Sequence, residues 1–106
     1  MTPEAGGFAV IWRYQVHAAQ VAEFERRYGP SGDWARLFAQ AAGYLGTALL
    51  KDREEPLVYV TVDRWESEEA FLSFRERFAQ PYRDLDTSCD SLTRRETRVG
   101  SFTELG

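Results

Sequence analysis

Gly43–Trp65 reads GYLGTALLKDREEPLVYVTVDRW, and its second half decides the fold. Leu57–Trp65 (LVYVTVDRW) is dense in β-branched and aromatic residues, the composition of a pleated strand. Gly43–Asp52 (GYLGTALLKD) makes a second strand, with Gly43 and Gly46 marking its entry and a point of close approach. Arg53-Glu54-Glu55-Pro56 is a polar turn, and a turn this short predicts an antiparallel hairpin.

Toward the C-terminus, Ser67 is a suitable N-cap, with Glu68 and Glu69 favourably placed against the helix dipole in the first turn. Behind it Phe71, Phe74, Phe78, Tyr82, Leu85 and Cys89 recur at three- and four-residue spacing, one helix face sustained over several turns. Pro81 kinks or divides this helix, because it lacks an N–H and its ring clashes with the preceding turn. Thr93–Glu104 (TRRETRVGSFTE) then reads as a long polar strand interrupted at Gly100.

Toward the N-terminus, Phe8–Val16 (FAVIWRYQV) is a strand with Phe8, Val10, Trp12, Tyr14 and Val16 on one face. Ala9 and Ile11 make the first half of its other face apolar too, as in strands covered on both sides. Ala18–Tyr28 places Val21, Phe24 and Tyr28 at helical spacing, and Gly29-Pro30-Ser31-Gly32 breaks that helix. A short helix over Trp34–Ala41 follows, with Asp33 as its N-cap. The order is β-α-β-β-α-β with a divided first helical segment. It predicts an α+β, ferredoxin-like domain: a four-stranded antiparallel sheet with helices on one face. The bare sheet face then needs a partner, and the apolar second faces of the first and third strands make that partner a copy of this chain.

The bulk numbers bound the function. A chain of 106 residues is the size of one domain, residues 1–106, and so small a domain gains from burying surface in an oligomer. Thirteen basic against seventeen acidic residues, a net charge of −4, argue against a nucleic-acid binder. No apolar run approaches the roughly 20 residues of a membrane span. Met1–Gly7 lacks the basic and apolar regions of a signal peptide, and a lone cysteine fits a reducing compartment, so a cytoplasmic location is expected. Fifteen aromatics exceed what so small a core requires, leaving some to line a pocket or an interface.

Asp63-Arg64-Trp65-Glu66-Ser67-Glu68-Glu69-Ala70-Phe71 resembles the W-x-S-x-x-A-[FY] stretch of the antibiotic biosynthesis monooxygenase family, and Gly43-Tyr44-Leu45-Gly46 resembles its G-[FY]-x-G. The resemblance covers residues 8 to 103 in element order. It implies a dimeric α+β barrel, two four-stranded sheets closing face to face. Characterised relatives oxidise anthrones with O₂ and no cofactor, cleave haem, isomerise small acids or have no known activity, and the fold does not choose among them. The haem-cleaving relatives use an Asn on the first strand and a Trp and a His on the last helix. This chain has no Asn at all, Phe74 nine residues after Trp65, and Asp84 nineteen after it, or Arg83 or Asp86 if the register slips. Haem cleavage is therefore not expected. The missing Asn also separates this chain from the anthrone oxidases, where an Asn helps to hold the substrate.

The remaining candidates are aromatic. Trp12, Trp34, Phe38, Tyr59 and Phe74 are read as substrate-binding walls for a flat aromatic molecule, and Tyr14 and Tyr44 as catalytic phenols that donate a proton or hydrogen bond. Core packing is the competing reading of each, and above all of Trp65, which seals a strand-to-helix corner. Gly46 and Ala48, on one face with Tyr44 and Leu50, are read as leaving room for the pocket. If Trp12 and Tyr14 point to the partner instead, Ile11, Arg13 and Gln15 line it. His17 has the pKa range of a base but a solvent-facing turn position. Cys89 lies on the apolar stripe as a packing residue. Asp86 and Asp90 share a helix face as solvated acids, and Arg94, Arg95 and Arg98 suit salt bridges between subunits. One His, one Cys and scattered carboxylates make no metal site.

Two readings follow. One is a cofactor-independent monooxygenase acting on an aromatic, quinol- or anthrone-like small molecule, with no cofactor. The other is a non-catalytic small-ligand-binding or structural homodimer. A void of several hundred cubic ångström between helices and sheet favours the first, and filled packing the second.

Overall fold

In the computed structural model, which describes residues 7–106, the expected elements form in the expected order. The reading of Met1–Gly7 as free of a leader falls outside the described residues, Gly7 excepted. Strands β1 (Phe8–Val16), β2 (Tyr44–Lys51), β3 (Val58–Trp65) and β4 (Thr93–Thr103) make one sheet in the order β2-β3-β1-β4. Every neighbouring pair is antiparallel, so this is the α+β, ferredoxin-like fold. Among the described residues no helix is long and apolar enough to cross a membrane.

The first helical segment opens with a 3₁₀ turn at Ala18–Gln20 and continues as α1 (Val21–Tyr28), which buries Phe24 and Tyr28. Helix α2 spans Asp33–Phe38, shorter than the sequence pattern indicates, and buries Trp34, Ala35, Leu37 and Phe38. Its N-cap is Gly32 rather than Asp33. The Asp33 carboxylate instead accepts a bond from the Arg36 guanidinium at 3.0 Å within the first turn. Ser67 does cap α3 (Glu68–Arg77), its Oγ accepting the Ala70 N–H at 3.1 Å.

The long C-terminal stripe is divided into α3 and α4 (Ala79–Cys89) at Phe78, whose φ of −113° and ψ of 27° leave the helix. The break falls three residues before Pro81, which has no N–H for the Arg77 carbonyl and needs room for its ring. The stripe survives the break, and Phe74, Phe78, Tyr82, Leu85 and Cys89 all join the helix–sheet core.

Register decides which side chains meet the helices. Phe8, Val10, Trp12 and Tyr14 stand opposite Trp65, Asp63, Thr61 and Tyr59, and directly opposed residues share a face. That face packs on the helices. Trp65 and Tyr59 are almost wholly buried there. On β2 the expected alternation fails. A register shift between Tyr44 and Gly46, with Gly46 at φ +150°, puts Thr47 opposite Asp63 and Leu49 opposite Thr61. The helix side therefore receives Tyr44, Thr47 and Leu49, while Gly46, Ala48 and Leu50 turn to the bare side. They make no room for a pocket. The bare side also carries Ile11, Val60, Val62 and Phe102, and Leu50 and Phe102 remain about half exposed.

Candidate active site

Between the sheet and its helices lies a cavity of about 340 Å³. Trp12, Tyr14, Thr47, Thr61, Asp63 and Glu96 form its floor on the four strands. Tyr28 of α1, Trp34 and Phe38 of α2, Arg75 of α3, and Tyr82 and Asp86 of α4 form its roof and mouth. The space comes from side-chain height. Thr47, Thr61 and Asp63 are short, and they lie between tall rings that brace one another instead of filling the gap. Tyr14 meets Tyr28 edge-on at 5.0 Å, and Trp34 meets Tyr82 edge-on at 5.0 Å.

Two hydrogen-bonded groups cross the floor. The Tyr14 hydroxyl and Thr61 Oγ1 are 3.0 Å apart. Thr47 Oγ1 donates to Asp63 Oδ1 at 2.7 Å, so the Tyr44 hydroxyl, 2.6 Å from the same Oγ1, is the donor to it. No hydrogen bond among the described residues engages Asp63 Oδ2. Burial pushes the Asp63 carboxyl up to about 6, against the opposing effect of the Thr47 bond. Burial also raises the Tyr14 phenol well above its ordinary value, and raises Tyr44, Tyr28 and Tyr82, so at neutral pH all four are proton donors and not bases.

The mouth is charged. The Arg75 guanidinium sits 4.2 Å from the centre of the Tyr82 ring, a cation–π contact. Asp86 and Glu96 are raised, first by burial and then by neighbouring acids, Asp90 for Asp86 and Asp86 for Glu96. The Trp34 Nε1–H is buried in the cavity wall without a hydrogen-bond partner among the described residues.

Of the residues singled out in the sequence, Trp12, Tyr14, Trp34 and Phe38 lie in the wall. The other three do not. Tyr44 stands one hydrogen bond behind it, through Thr47. Tyr59 packs on Phe24 at 5.0 Å, and its hydroxyl donates a hydrogen bond to the Glu25 carboxylate, away from the cavity. Phe74 is wedged between Phe38 and Trp65, at 5.2 and 5.3 Å. Ile11, Arg13 and Gln15 are on the opposite face and His17 is exposed, so neither alternative reaches the cavity. Cys89 is fully buried. Among the described residues no group of three or more His, Cys, Asp or Glu is placed to hold a metal ion.

Sequence reasoning missed Asp63, Thr47 and Thr61. The signal was present in β3, where Tyr59, Thr61, Asp63 and Trp65 alternate inward. A carboxylate at a core-facing position of a strand is costly unless it has a use.

Comparison with known proteins agrees with this architecture. SnoaB from Streptomyces nogalater, a cofactor-independent oxygenase, superposes with a TM-score of 0.73 at 28% identity over 96% of each chain. A point variant of SnoaB gives 0.69 at 29% identity over 92% of each chain. PA3566 from Pseudomonas aeruginosa shares the fold alone, at 12% identity, a TM-score of 0.64 and coverage of 99% of this chain and 98% of its own. No curated protein matches the sequence. The family described as Antibiotic biosynthesis monooxygenase matches residues 7–79, and with two thirds of its length so matched the chain belongs to that family.

Proposed function

We propose that this protein is a cofactor-independent monooxygenase that oxidises an electron-rich, quinol- or anthrone-like aromatic molecule. The observation that carries the reading is the cavity. Its volume of about 340 Å³ lies within the roughly 300–1,000 Å³ of small-molecule sites, and its walls are aromatic. A layer built only for packing would be filled to crystal-like density here. Family membership and the likeness to SnoaB at 28–29% identity support the same class of chemistry.

Such a reaction asks little of a protein beyond orientation, a dry site and proton control. Trp12, Trp34 and Phe38 offer flat faces that hold a fused-ring substrate in one plane. Tyr14, kept protonated by burial, donates a hydrogen bond to a substrate oxygen. The ionised substrate itself supplies electrons to O₂. The bare sheet face, with exposed Leu50 and Phe102, supports a homodimer closed through that face. An obligate interface of this kind buries more than about 2,000 Å².

Oxygen-electrode measurements over a panel of anthrones and hydroquinones test the reading. Metal-free protein should consume one O₂ for each quinone formed from an anthrone. No uptake above the spontaneous rate across the panel would overturn it.

A further inference from the structure

We propose that Asp63 is the general base of this cavity: its carboxylate Oδ2 takes the acidic proton of the substrate, with Thr47 and Tyr44 as the positioning pair behind it. The inference rests on the monooxygenase reading of the same site and adds the group that starts the reaction.

Geometry carries it. Asp63 lies in the cavity floor, between Val10 of β1 and Thr47 of β2. One carboxylate oxygen is fixed by the Thr47 hydroxyl at 2.7 Å, and Thr47 is itself held by Tyr44 at 2.6 Å. That leaves the second oxygen without a hydrogen bond from the described residues, at a site large enough for a ligand. A base needs its lone pair oriented and unoccupied. A carboxyl that titrates near 6 is ionised at neutral pH, yet is a stronger base than an exposed aspartate.

The charge balance also fits. Asp86 on the helix side and Glu96 in the floor already place acids in the cavity, with Arg75 as the cation beside them. A substrate that arrives neutral and ionises inside adds no charge, because Asp63 becomes neutral as the substrate becomes anionic. The substrate class is therefore a neutral polycyclic aromatic whose ring CH₂ is made acidic by conjugation, through the flanking rings, with a carbonyl on the opposite side of the central ring. The steps balance with O₂ as the oxidant. Asp63 removes one proton from the ring CH₂, and the carbanion gives an electron to O₂. The resulting radical and superoxide join in a C–O bond. The protonated Asp63 returns its proton to the peroxide anion. Loss of the second C–H proton with cleavage of the O–O bond then gives the ketone and water. Carbon loses four electrons and O₂ gains four.

The groups facing Asp63 bear on its pH dependence. Tyr14 of β1, Tyr44 of β2 and Tyr28 of α1 stay neutral over the working range, as does Tyr82 of α4. Arg75 of α3 also lines the cavity, and Asp86 of α4 and Glu96 of β4 are acids that titrate above their ordinary values.

Hydrogen exchange of anthrone in D₂O without oxygen separates proton removal from oxidation. Wild-type protein should accelerate exchange of the ring CH₂, with a rate that rises to about pH 6 and then levels. Asp63→Asn should lower the rate about 10²- to 10⁴-fold and abolish that limb. Thr47→Val should move the limb to higher pH, because the carboxylate loses a donor, and Thr47→Ser should restore it. This second variant decides the matter even if Asp63→Asn does not fold. Full exchange with an unchanged limb in Asp63→Asn, or no shift in Thr47→Val, would overturn the assignment. Asp63-dependent exchange without O₂ uptake would uphold the base and remove the oxygenase reading. O₂ uptake indifferent to Asp63 would do the reverse.

Discussion

Replacing Asp63 by Asn keeps the shape of the side chain and removes its charge, so it isolates what the buried carboxylate costs the fold. The folded value of about 6 lies above the ordinary 3.8. The folded chain therefore holds this proton more tightly than the unfolded chain does. By linkage, stability is greatest below about pH 4, falls as the pH rises from 3.8 toward 6, and is level above that. At 1.36 kcal/mol for each tenfold change in ionisation, the destabilisation at neutral pH is about 3 kcal/mol. Asp63→Asn cannot ionise, so it should be more stable than wild type by about 1–3 kcal/mol at pH 7.5 and nearly equal at pH 4. Thr47 can still donate to the amide oxygen.

Urea unfolding at both pH values, at one protein concentration so that self-association is held constant, gives the comparison. Asp86 and Glu96 titrate in the same direction as Asp63, while exposed Glu23 and Asp52 are shifted downward by hydrogen bonds and act at lower pH. All four are present in both proteins and cancel in the difference. A variant less stable than wild type by the same amount at pH 4 and pH 7.5 would refute the reasoning, since the carboxylate would then be stabilising through contacts and not strained by burial.

Tyr14→Phe and Tyr44→Phe each delete one oxygen and should slow turnover of an anthrone more than they lower stability, which should change by about 1 kcal/mol; full rate in both would remove proton control by the phenols. Ser67→Ala should cost about 1 kcal/mol in chemical unfolding through loss of the cap on the Ala70 N–H. Gly43→Ala should destabilise by more than 1 kcal/mol, because Gly43 has φ +91° and a Cβ there would lie 2.6 Å from the Ala70 Cβ; an unchanged urea midpoint would contradict the strand-entry packing. Haemin titration should leave the Soret band at its free position, since the sequence has no Asn and its one His, exposed His17, is not on the last helix.

Much of the fold was legible because local signals agreed. The inward alternation of β1 and β3, the polar turn between β2 and β3, the Ser67 cap and the stripe from Phe71 to Cys89 all point to one topology. The long C-terminal helix divided where a backbone requirement outweighed side-chain pattern, Phe78 leaving the helix ahead of Pro81. Trp12, Tyr14, Trp34 and Phe38 were legible as a cavity wall for the same reason: large rings at core-facing positions of successive elements have to meet.

The polar floor was not legible, and the bulge in β2 explains why. Strict alternation from Tyr44 puts Gly46, Ala48 and Leu50 with Tyr44 and sends Thr47 to the other face. One extra residue at Leu45–Gly46 reverses the assignment of everything after it, because a shift by one residue exchanges the faces of a strand. The glycine that permits φ +150° is visible in the sequence, but a bulge and a close approach use the same residue. Without the bulge Thr47 would not reach Asp63, and a core-facing aspartate without a donor has no evident place in a strand as apolar as LVYVTVDRW. With it, the carboxylate has one oxygen anchored and one left without a hydrogen bond from the described residues, in the floor of the cavity. The residue that misleads the pattern is thus the one that builds the site, and Gly46→Ala tests this directly. A Cβ at Gly46 meets nothing within 4 Å, so the substitution acts through backbone conformation alone. If the bulge relaxes to regular pairing, Thr47 leaves Asp63, the carboxyl titrates higher, and the low-pH limb of anthrone exchange moves up as in Thr47→Val. A Gly46→Ala protein with an unmoved limb and a lowered unfolding midpoint would mean that the bulge holds against the substitution and that Thr47 is placed by the rest of the strand.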